Sequence, residues 1–293
     1  MIRLTRGSLV ATATSLAGMF LAGCNDTGFE NAAFIAPVKN DSTGGLTVCD
    51  PFGGSGGGSR TNGIEAALTY LPSNSPVITS GLSVASFESG ATDVVTSPAR
   101  LILSQLAVST RPFTEGFSVK NSSDKLTDLN GDVLDEYFSV RGSANIRLAA
   151  GDPEGDYEMA LLSDDGSVLD LDVNGNGNYA RWIDSDGTHA NGFTCAPSVL
   201  HLTSASEIPM RIKYYQGPRV RIALMLLWRP KAASAEPECG SFRGDTYFFQ
   251  PVGADPSVPT ANYNALLARG WKPLAPGNFV LPDSKTNPCV TAK

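Results

Sequence analysis

The chain has 293 residues, which is long enough for one large or two modest domains with a substantial core. Its 30 glycines and 19 prolines, together with only 17% charged residues, favour a turn-rich, β-dominated exported protein over a coiled coil or a long-helix bundle. A formal net charge of −7 argues against nucleic-acid binding, because phosphates would be repelled, and two histidines exclude a multi-histidine metal centre.

The first 24 residues have the features of an export signal. Arg3 and Arg6 precede an apolar stretch at 9–22 that is too short to span a bilayer as a helix. The following Leu-Ala-Gly-Cys at 21–24 resembles the bacterial lipoprotein signal box, which implies that Cys24 is lipidated and becomes the first residue after cleavage. An ordinary secretory signal with a chance cysteine is the alternative. We expect residues 1–23 to be removed and the chain to be anchored in the cell envelope, at the outer membrane of a Gram-negative bacterium.

Residues 24–84 are predicted to hold the lipid anchor and a tether. The Gly/Ser run at 53–59 is a flexible coil by composition. It matches the G-x-S-x-G nucleophile pattern, but no β-rich stretch leads into it and no helical stretch follows. Since no proton donor facing a nucleophile can be identified either, the chain is predicted not to be an enzyme.

Residues 85–230 are predicted to form a β-sandwich. Short β-like runs alternate with turns here, and Met210, Ile212 and Tyr214 take every second position of one run. The next run, 220–228, has the same period, and Gly-Pro at 217–218 separates the two. This pattern predicts an all-β sandwich or jelly-roll.

Residues 231–293 are predicted to be a C-terminal extension packed on the sandwich. Residues 262–269 read as two helical turns, capped by Thr260 or Asn262 and ended by Gly270. Trp271 is expected to pack this extension against the core.

With Cys24 assigned to the lipid, four cysteines remain: Cys49, Cys195, Cys239 and Cys289. An even number in an oxidising compartment predicts two disulfides, and the absence of a CxxC pair argues against zinc. Three pairings are possible. We favour Cys239–Cys289, which would staple the extension, and this leaves Cys49–Cys195.

Three acidic turn segments come next: 164–166, 170–175 and 184–187. The second matches the first half of an EF-hand loop, but Arg181 stands where that loop needs a bidentate glutamate, so an EF-hand is rejected. Its aspartates are better explained as turn and outer-face residues. The adjacent Asp164 and Asp165 differ, because two neighbouring carboxylates repel each other and attract a hard cation with oxygen ligands.

The order of these segments resembles the PA14 (protective-antigen type) domain family. The resemblance is carried by five segments: 138–141, 157–167, 184–189, 208–217 and 227–230. It implies a β-sandwich of jelly-roll type, as in bacterial adhesins, yeast flocculins and toxins.

In the lectin members of that family, two adjacent aspartates joined by a cis peptide bond chelate Ca²⁺, and sugar hydroxyls complete the coordination of the ion. The resemblance therefore implies that Asp164 and Asp165 bind calcium and carbohydrate, with Gln216 as a further ligand from a second loop. The expected partner is a glycan or a cell-surface polysaccharide. The alternative is a structural or protein-interaction lipoprotein, which coverage of the sandwich mouth by the extension would favour.

Three further side chains have two interpretations each. His189 could bind a ligand, but its place in the family pattern favours a structural role in a connecting segment. Tyr179 and Trp182 could stack on a sugar ring, or could close the edge of the sandwich.

Overall fold

The structure, a computed structural model, describes residues 39–40, 46–49, 61–116, 126–252 and 255–290. The predicted signal peptide, Cys24 and the Gly/Ser run at 53–59 lie outside these residues, so the predictions for them stay predictions. Within the described ranges, no helix is long and apolar enough to cross a membrane.

The described residues form 18 strands and one α-helix. In chain order these are β1 (Lys39–Asn40), β2 (Leu46–Cys49), β3 (Ile64–Tyr70), β4 (Val95–Leu103), β5 (Ala107–Pro112), β6 (Phe138–Ile146), β7 (Gly155–Asp164), β8 (Ser167–Leu171), β9 (Ala180–Ser185), β10 (Gly192–Cys195), β11 (Leu200–Leu202), β12 (Ile208–Gln216), β13 (Arg221–Pro230), β14 (Ser241–Phe242), β15 (Phe249–Val252), β16 (Asp255–Pro259), α1 (Ala261–Ala268), β17 (Lys272–Pro273) and β18 (Phe279–Val280). Short 3₁₀ turns lie at Pro76–Thr79, Val84–Phe87, Phe113–Glu115, Pro276–Asn278 and Pro282–Ser284.

Two sheets pack face to face and confirm the predicted β-sandwich. The first sheet has the strand order β1-β2-β4-β3-β6-β12-β8-β9, with β18 also paired to β6. The second has the order β14-β10-β7-β13-β17, with β11 on β7 and β5 on β13. The described pairs are antiparallel except β2 with β4, and the strands β15 and β16 form a separate hairpin. One apolar core lies between the sheets.

The central strand β13 is apolar at nearly every position because both of its faces are buried. Leu224 and Leu226 point into the core between the sheets. Met225 and Leu227 point to the opposite face, where the C-terminal extension covers them with Phe248 and other aromatic side chains. A strand with both faces buried reads as a nearly continuous apolar run. The extension is therefore a third layer over the second sheet.

The sandwich extends beyond the predicted limits of 85 and 230. The strand β3, which falls in the range assigned to anchor and tether, pairs with β4 on one side and β6 on the other. Its sequence, Ile-Glu-Ala-Ala-Leu-Thr-Tyr, places Ile64, Ala66 and Leu68 on the core side. From the other end, the extension adds three short strands: β14 and β17 join β10 and β13 in the second sheet, and β18 joins β6 in the first.

The predicted disulfide pairing is wrong, although all four cysteines are bonded. The structure pairs Cys49 with Cys289 and Cys195 with Cys239. The reason is tertiary, because β14 pairs with β10 and brings the segment after Cys239 beside the strand that ends at Cys195. The last described turn meanwhile returns to the N-terminal side of the first sheet, where Asn287 Nδ2 donates to the carbonyl oxygen of Asn62 at 2.7 Å.

The C-terminal helix and its tryptophan agree with the sequence analysis. Of the two possible caps, Thr260 is the one observed, because its hydroxyl accepts hydrogen bonds from the N–H groups of Asn262 and Tyr263. Trp271 is 1% exposed, and its ring packs edge-on against Phe193 with the centroids 5.2 Å apart.

Candidate functional site

Asp164 and Asp165 lie at the turn between β7 and β8, at one end of the sandwich. The peptide bond that joins them is cis, as the family resemblance implies. Gly166 completes the turn in a place where a side chain would not fit. A Cβ at this position would overlap the Tyr215 ring and would lie 2.9 Å from the carbonyl oxygen of Gly187. The turn is therefore held between β12 and the β9–β10 loop.

The Asp165 carboxylate joins two loops to this turn. It accepts a hydrogen bond from the backbone N–H of His189 at 3.1 Å, in the β9–β10 loop. It accepts another from the backbone N–H of Gly217 at 2.8 Å, in the β12–β13 loop. The residue is 3% exposed. Burial raises the pKa of Asp165 to about 6, although these two hydrogen bonds act to lower it.

The surroundings of Asp164 disfavour an ionised carboxylate more strongly than those of Asp165 do. Its backbone carbonyl accepts from the Tyr214 hydroxyl at 2.6 Å, and its carboxylate accepts from the backbone N–H of Asn191. Burial, followed by the negative charges of Asp165 and Asp245, raises the pKa of Asp164 to about 9, and Arg221 only partly offsets this. The surroundings therefore disfavour the ionised form of Asp164, which a bound cation would stabilise.

Asn191 adds an oxygen that lacks a partner. The residue is fully buried, its Nδ2 donates to the Thr110 hydroxyl, and its Oδ1 accepts no hydrogen bond. Most buried polar atoms in folded proteins have a hydrogen-bond partner, so this oxygen is a candidate ligand atom. The backbone N–H of the same residue contacts the Asp164 carboxylate, so Asn191 borders the site. No signal in the sequence pointed to it.

Gln216 has a different role from the one predicted. Its side chain is buried, with Oε1 lying 2.7 Å from the Tyr214 hydroxyl oxygen and Nε2 donating to the backbone oxygen of Arg221 at 2.8 Å. These bonds use the amide to link β12 to β13. The β12–β13 loop reaches Asp165 through the backbone of Gly217 instead of through the Gln216 side chain.

The remaining oxygen donors define what the site could hold. Two carboxylates and one buried amide oxygen are hard ligands of the kind that Ca²⁺ prefers. Among the residues that the structure describes, no three His, Cys, Asp or Glu side chains are close enough to form a metal site by themselves. A cation here would therefore depend on the aspartate pair together with amide, backbone or ligand oxygens.

Other parts of the chain border the site. The Phe242 ring lies against Gly192 and packs on the His189 ring with centroids 4.6 Å apart. On another side, the Tyr215 hydroxyl donates to the backbone oxygen of Leu82 at 2.9 Å. A His189 ring nitrogen lies 2.9 Å from the backbone oxygen of Ser185, which is consistent with the structural role expected for this residue.

The two aromatic residues of the β8–β9 hairpin, Tyr179 and Trp182, lie in different surroundings. Trp182 packs against the core between the sheets, so it closes the sandwich. Tyr179 lies on the outer face of the first sheet, where the Arg211 guanidinium stacks 3.8 Å above its ring centroid. Neither residue borders Asp164 and Asp165.

No family model and no curated protein matches the chain. Solved structures are similar to it. The PA14 domain of the MpAFP antifreeze protein is 13% identical, with 59% of this chain and 84% of that chain covered and a TM-score of 0.41. The PA14 sugar-binding domain of an RTX adhesin is 16% identical, with 58% and 90% covered and a TM-score of 0.35.

A third similar structure is the A domain of epithelial adhesin 6 from Candida glabrata, in complex with Galβ1-3GlcNAc. It is 14% identical, with 73% of this chain and 96% of that chain covered and a TM-score of 0.37. The first two neighbours are PA14 domains, the family that the sequence resembles. Because all three TM-scores lie below 0.5, the functional proposal below rests on the geometry of this chain.

Proposed function

We propose that this protein is a non-catalytic, PA14-type carbohydrate-binding protein, lipid-anchored at Cys24 on the cell envelope, whose site holds Ca²⁺ between Asp164 and Asp165. The observation that carries the proposal is the pair of adjacent, buried aspartates at the β7–β8 turn, whose pKa values are both raised by burial. A bound divalent cation would neutralise the two carboxylates and give the Asn191 amide oxygen a partner.

Carbohydrate suits such a site for chemical reasons. Ca²⁺ takes six to eight oxygen ligands, and the aspartate pair with Asn191 supplies only part of that number. Vicinal sugar hydroxyls are neutral oxygen donors that can complete the coordination of the ion. The acidic character of the whole chain, with a net charge of −7, is compatible with a cation and a neutral sugar.

The first test is titration of Ca²⁺ into the EDTA-stripped full-length protein, purified in mild detergent, by isothermal calorimetry. We expect single-site binding that is lost in Asp164→Asn/Asp165→Asn. The matched control is Asp170→Asn/Asp184→Asn, which removes two acids that pair with Arg181 on β8 and β9. Equal Ca²⁺ binding by both double variants would overturn the assignment of the ion to the aspartate pair.

The second test is a glycan array probed with Ca²⁺ and with EDTA. We expect glycan signals that depend on Ca²⁺ and disappear in the Asp164→Asn/Asp165→Asn variant. Calcium binding without any glycan signal would leave the ion as a structural one.

A second function keeps the same fold as a scaffold for a protein partner. The observation that favours it is the proximity of the extension, because Phe242 packs on the β9–β10 loop and Asp245 adds its charge near Asp164. In that case Asp165 serves only to join the loops through His189 and Gly217. Absence of Ca²⁺ binding in the calorimetric test would favour this second function.

A further inference from the structure

A polar trough crosses the outer face of the first sheet, away from the aspartate site. It consists of two cavities of about 580 and 260 Å³, both lined by Arg141, Ser143 and Arg211. The strands β4, β3, β6 and β12 form its floor, and these are adjacent in the sheet. Small side chains such as Ala67 and Ser143 keep the floor low between longer basic side chains.

The trough is basic although the chain as a whole is acidic. Five cationic side chains line it: Arg100, Arg141, Arg211, Lys213 and Lys285. Fewer acids face them, and the two that form the short ion pairs are each shared between two cations. Glu65 contacts Arg100 at 2.8 Å and Lys285 at 2.7 Å, and Glu88 contacts both Arg141 and Lys213 at 2.7 Å.

Arg211 is the side chain best prepared to bind an anion. Its guanidinium stacks on the Tyr179 ring, with the guanidinium carbon 3.8 Å from the ring centroid. Asp170, its neighbour across the β8–β12 ladder, is already bonded to Arg181 at 2.6 Å. Stacking fixes the guanidinium plane and leaves its N–H edges free to donate to a carboxylate.

Arg141 supports the same conclusion from the middle of the trough. One of its terminal nitrogens donates to Glu88 at 2.7 Å. A guanidinium has five N–H donors, so the bond to Glu88 orients Arg141 without using up its donors.

We propose that this trough binds an acidic polysaccharide that carries carboxylate groups on its sugar units, with Arg211 and Arg141 as the main anion-binding residues. Adjacent strands are about 4.8 Å apart, so a trough across four strands is longer than one sugar ring and suits a short stretch of chain. Its walls are polar and charged instead of apolar, which fits hydroxyl- and carboxylate-bearing sugars better than a compact apolar ligand. This inference goes beyond the proposed function and does not depend on it, because no aspartate of the calcium site takes part.

The test measures binding of polygalacturonate oligosaccharides to the full-length protein in EDTA, by isothermal calorimetry. Neutral dextran oligosaccharides and dextran sulfate are the comparison ligands. We expect binding of polygalacturonate, weakened by added NaCl, and no binding of neutral dextran. Arg211→Glu should weaken the affinity by about tenfold or more, and Tyr179→Ala, which removes the stack, should weaken it by a smaller factor.

Two controls separate this site from other effects. Arg243→Glu makes the same change in net charge at a half-exposed arginine of the C-terminal extension, and it should leave polygalacturonate affinity unchanged. Asp164→Asn/Asp165→Asn should also leave the affinity unchanged, even if it abolishes Ca²⁺ binding. Circular dichroism and thermal unfolding confirm that each variant is folded.

The outcomes are distinct. The proposal is overturned if Arg211→Glu and Arg243→Glu behave alike, if neutral dextran binds as well as polygalacturonate, or if binding requires Ca²⁺. The proposal is also overturned if dextran sulfate binds more tightly than polygalacturonate and Arg211→Glu does not change its affinity. That result would show general attraction of anions. Loss of binding in Arg211→Glu alone, in EDTA, supports the trough whether or not the calcium site exists.

Discussion

Two buried acidic groups in this protein have opposite electrostatic settings. Glu236, in the extension, is contacted by Arg229 at 3.1 Å, by Arg269 at 2.6 Å and by the Trp271 indole N–H at 2.8 Å. Burial alone would raise the pKa of Glu236, but the hydrogen bonds from Arg269 and Trp271 outweigh it and hold the pKa below its ordinary value. At Asp164 and Asp165, by contrast, the backbone N–H groups and the charge of Arg221 do not outweigh burial, and both pKa values are raised. This contrast is the physical reason for assigning a cation to the aspartates.

The Glu236 network leads to a prediction about pH. Glu236→Gln should lower the free energy of unfolding at pH 7 by about 3–5 kcal/mol, because it removes the buried carboxylate that pairs with both Arg229 and Arg269 and leaves Arg229 with Glu158 alone. A lowered folded-state pKa gives stability that is present above the unfolded pKa of about 4.5 and is lost as the pH falls through the folded value. The difference between wild type and variant should therefore shrink in strongly acidic solution. Urea unfolding between pH 3 and pH 7 measures this.

The control for this measurement is Glu207→Gln, which neutralises an exposed glutamate. It should change the free energy of unfolding by less than about 0.5 kcal/mol at either pH. A destabilisation by Glu236→Gln that stays constant down to pH 3 would contradict the ion-pair explanation and leave only a packing effect.

At the scale of single residues, the sequence indicated part of the site and missed the rest. Adjacent aspartates are visible in the sequence, and the PA14 resemblance assigns them a role. The roles of Gln216 and Asn191 depend on which loops meet in three dimensions, and a linear pattern does not contain this. Arg211 was visible as an outward residue of an alternating strand, but its stacking on Tyr179 depends on how the β8–β9 hairpin folds over the sheet.

At the scale of elements, the period-two alternation predicted most of the central strands. It was not applied to β3, where Ile64, Ala66 and Leu68 also take every second position, because this segment lies in the range assigned to the tether, beside a Gly/Ser-rich stretch. It also could not show that the extension covers the second sheet, because both faces of β13 are apolar and the sequence does not say which element lies on which face.

The helix α1 allows a matched test of that covering layer. Leu266 is fully buried against the second sheet, whereas Leu267, the next residue, is 43% exposed. Leu266→Ala should lower the free energy of unfolding by about 2–5 kcal/mol, because it removes buried methyl groups and leaves a cavity. Leu267→Ala should change it by less than about 0.5 kcal/mol. Guanidinium unfolding measures both, and similar effects of the two substitutions would mean that the helix does not pack as described.

At the scale of the whole molecule, two disulfides connect parts that are far apart in sequence. Cys49–Cys289 spans 240 residues and joins β2 of the first sheet to the last described turn. Cys195–Cys239 spans 44 residues and fastens the extension to β10. In the chain-entropy model, loops of these lengths correspond to about 5 and about 4 kcal/mol of stability, as upper figures. The two disulfides thus join the start of the extension to the second sheet and its end to the first sheet.

The pairing itself can be tested directly, because trypsin separates all four cysteines. Cleavage after Lys and Arg places them in peptides 40–60, 182–211, 232–243 and 286–293. Mass spectrometry of a non-reduced digest should find 40–60 joined to 286–293, and 182–211 joined to 232–243, because β10 and β14 are paired and the C-terminal turn returns to the first sheet. The same digest after reduction, which should release all four peptides, is the control. A link between 232–243 and 286–293 would instead mean that the extension is stapled to itself, so that neither sheet would be tied to it covalently.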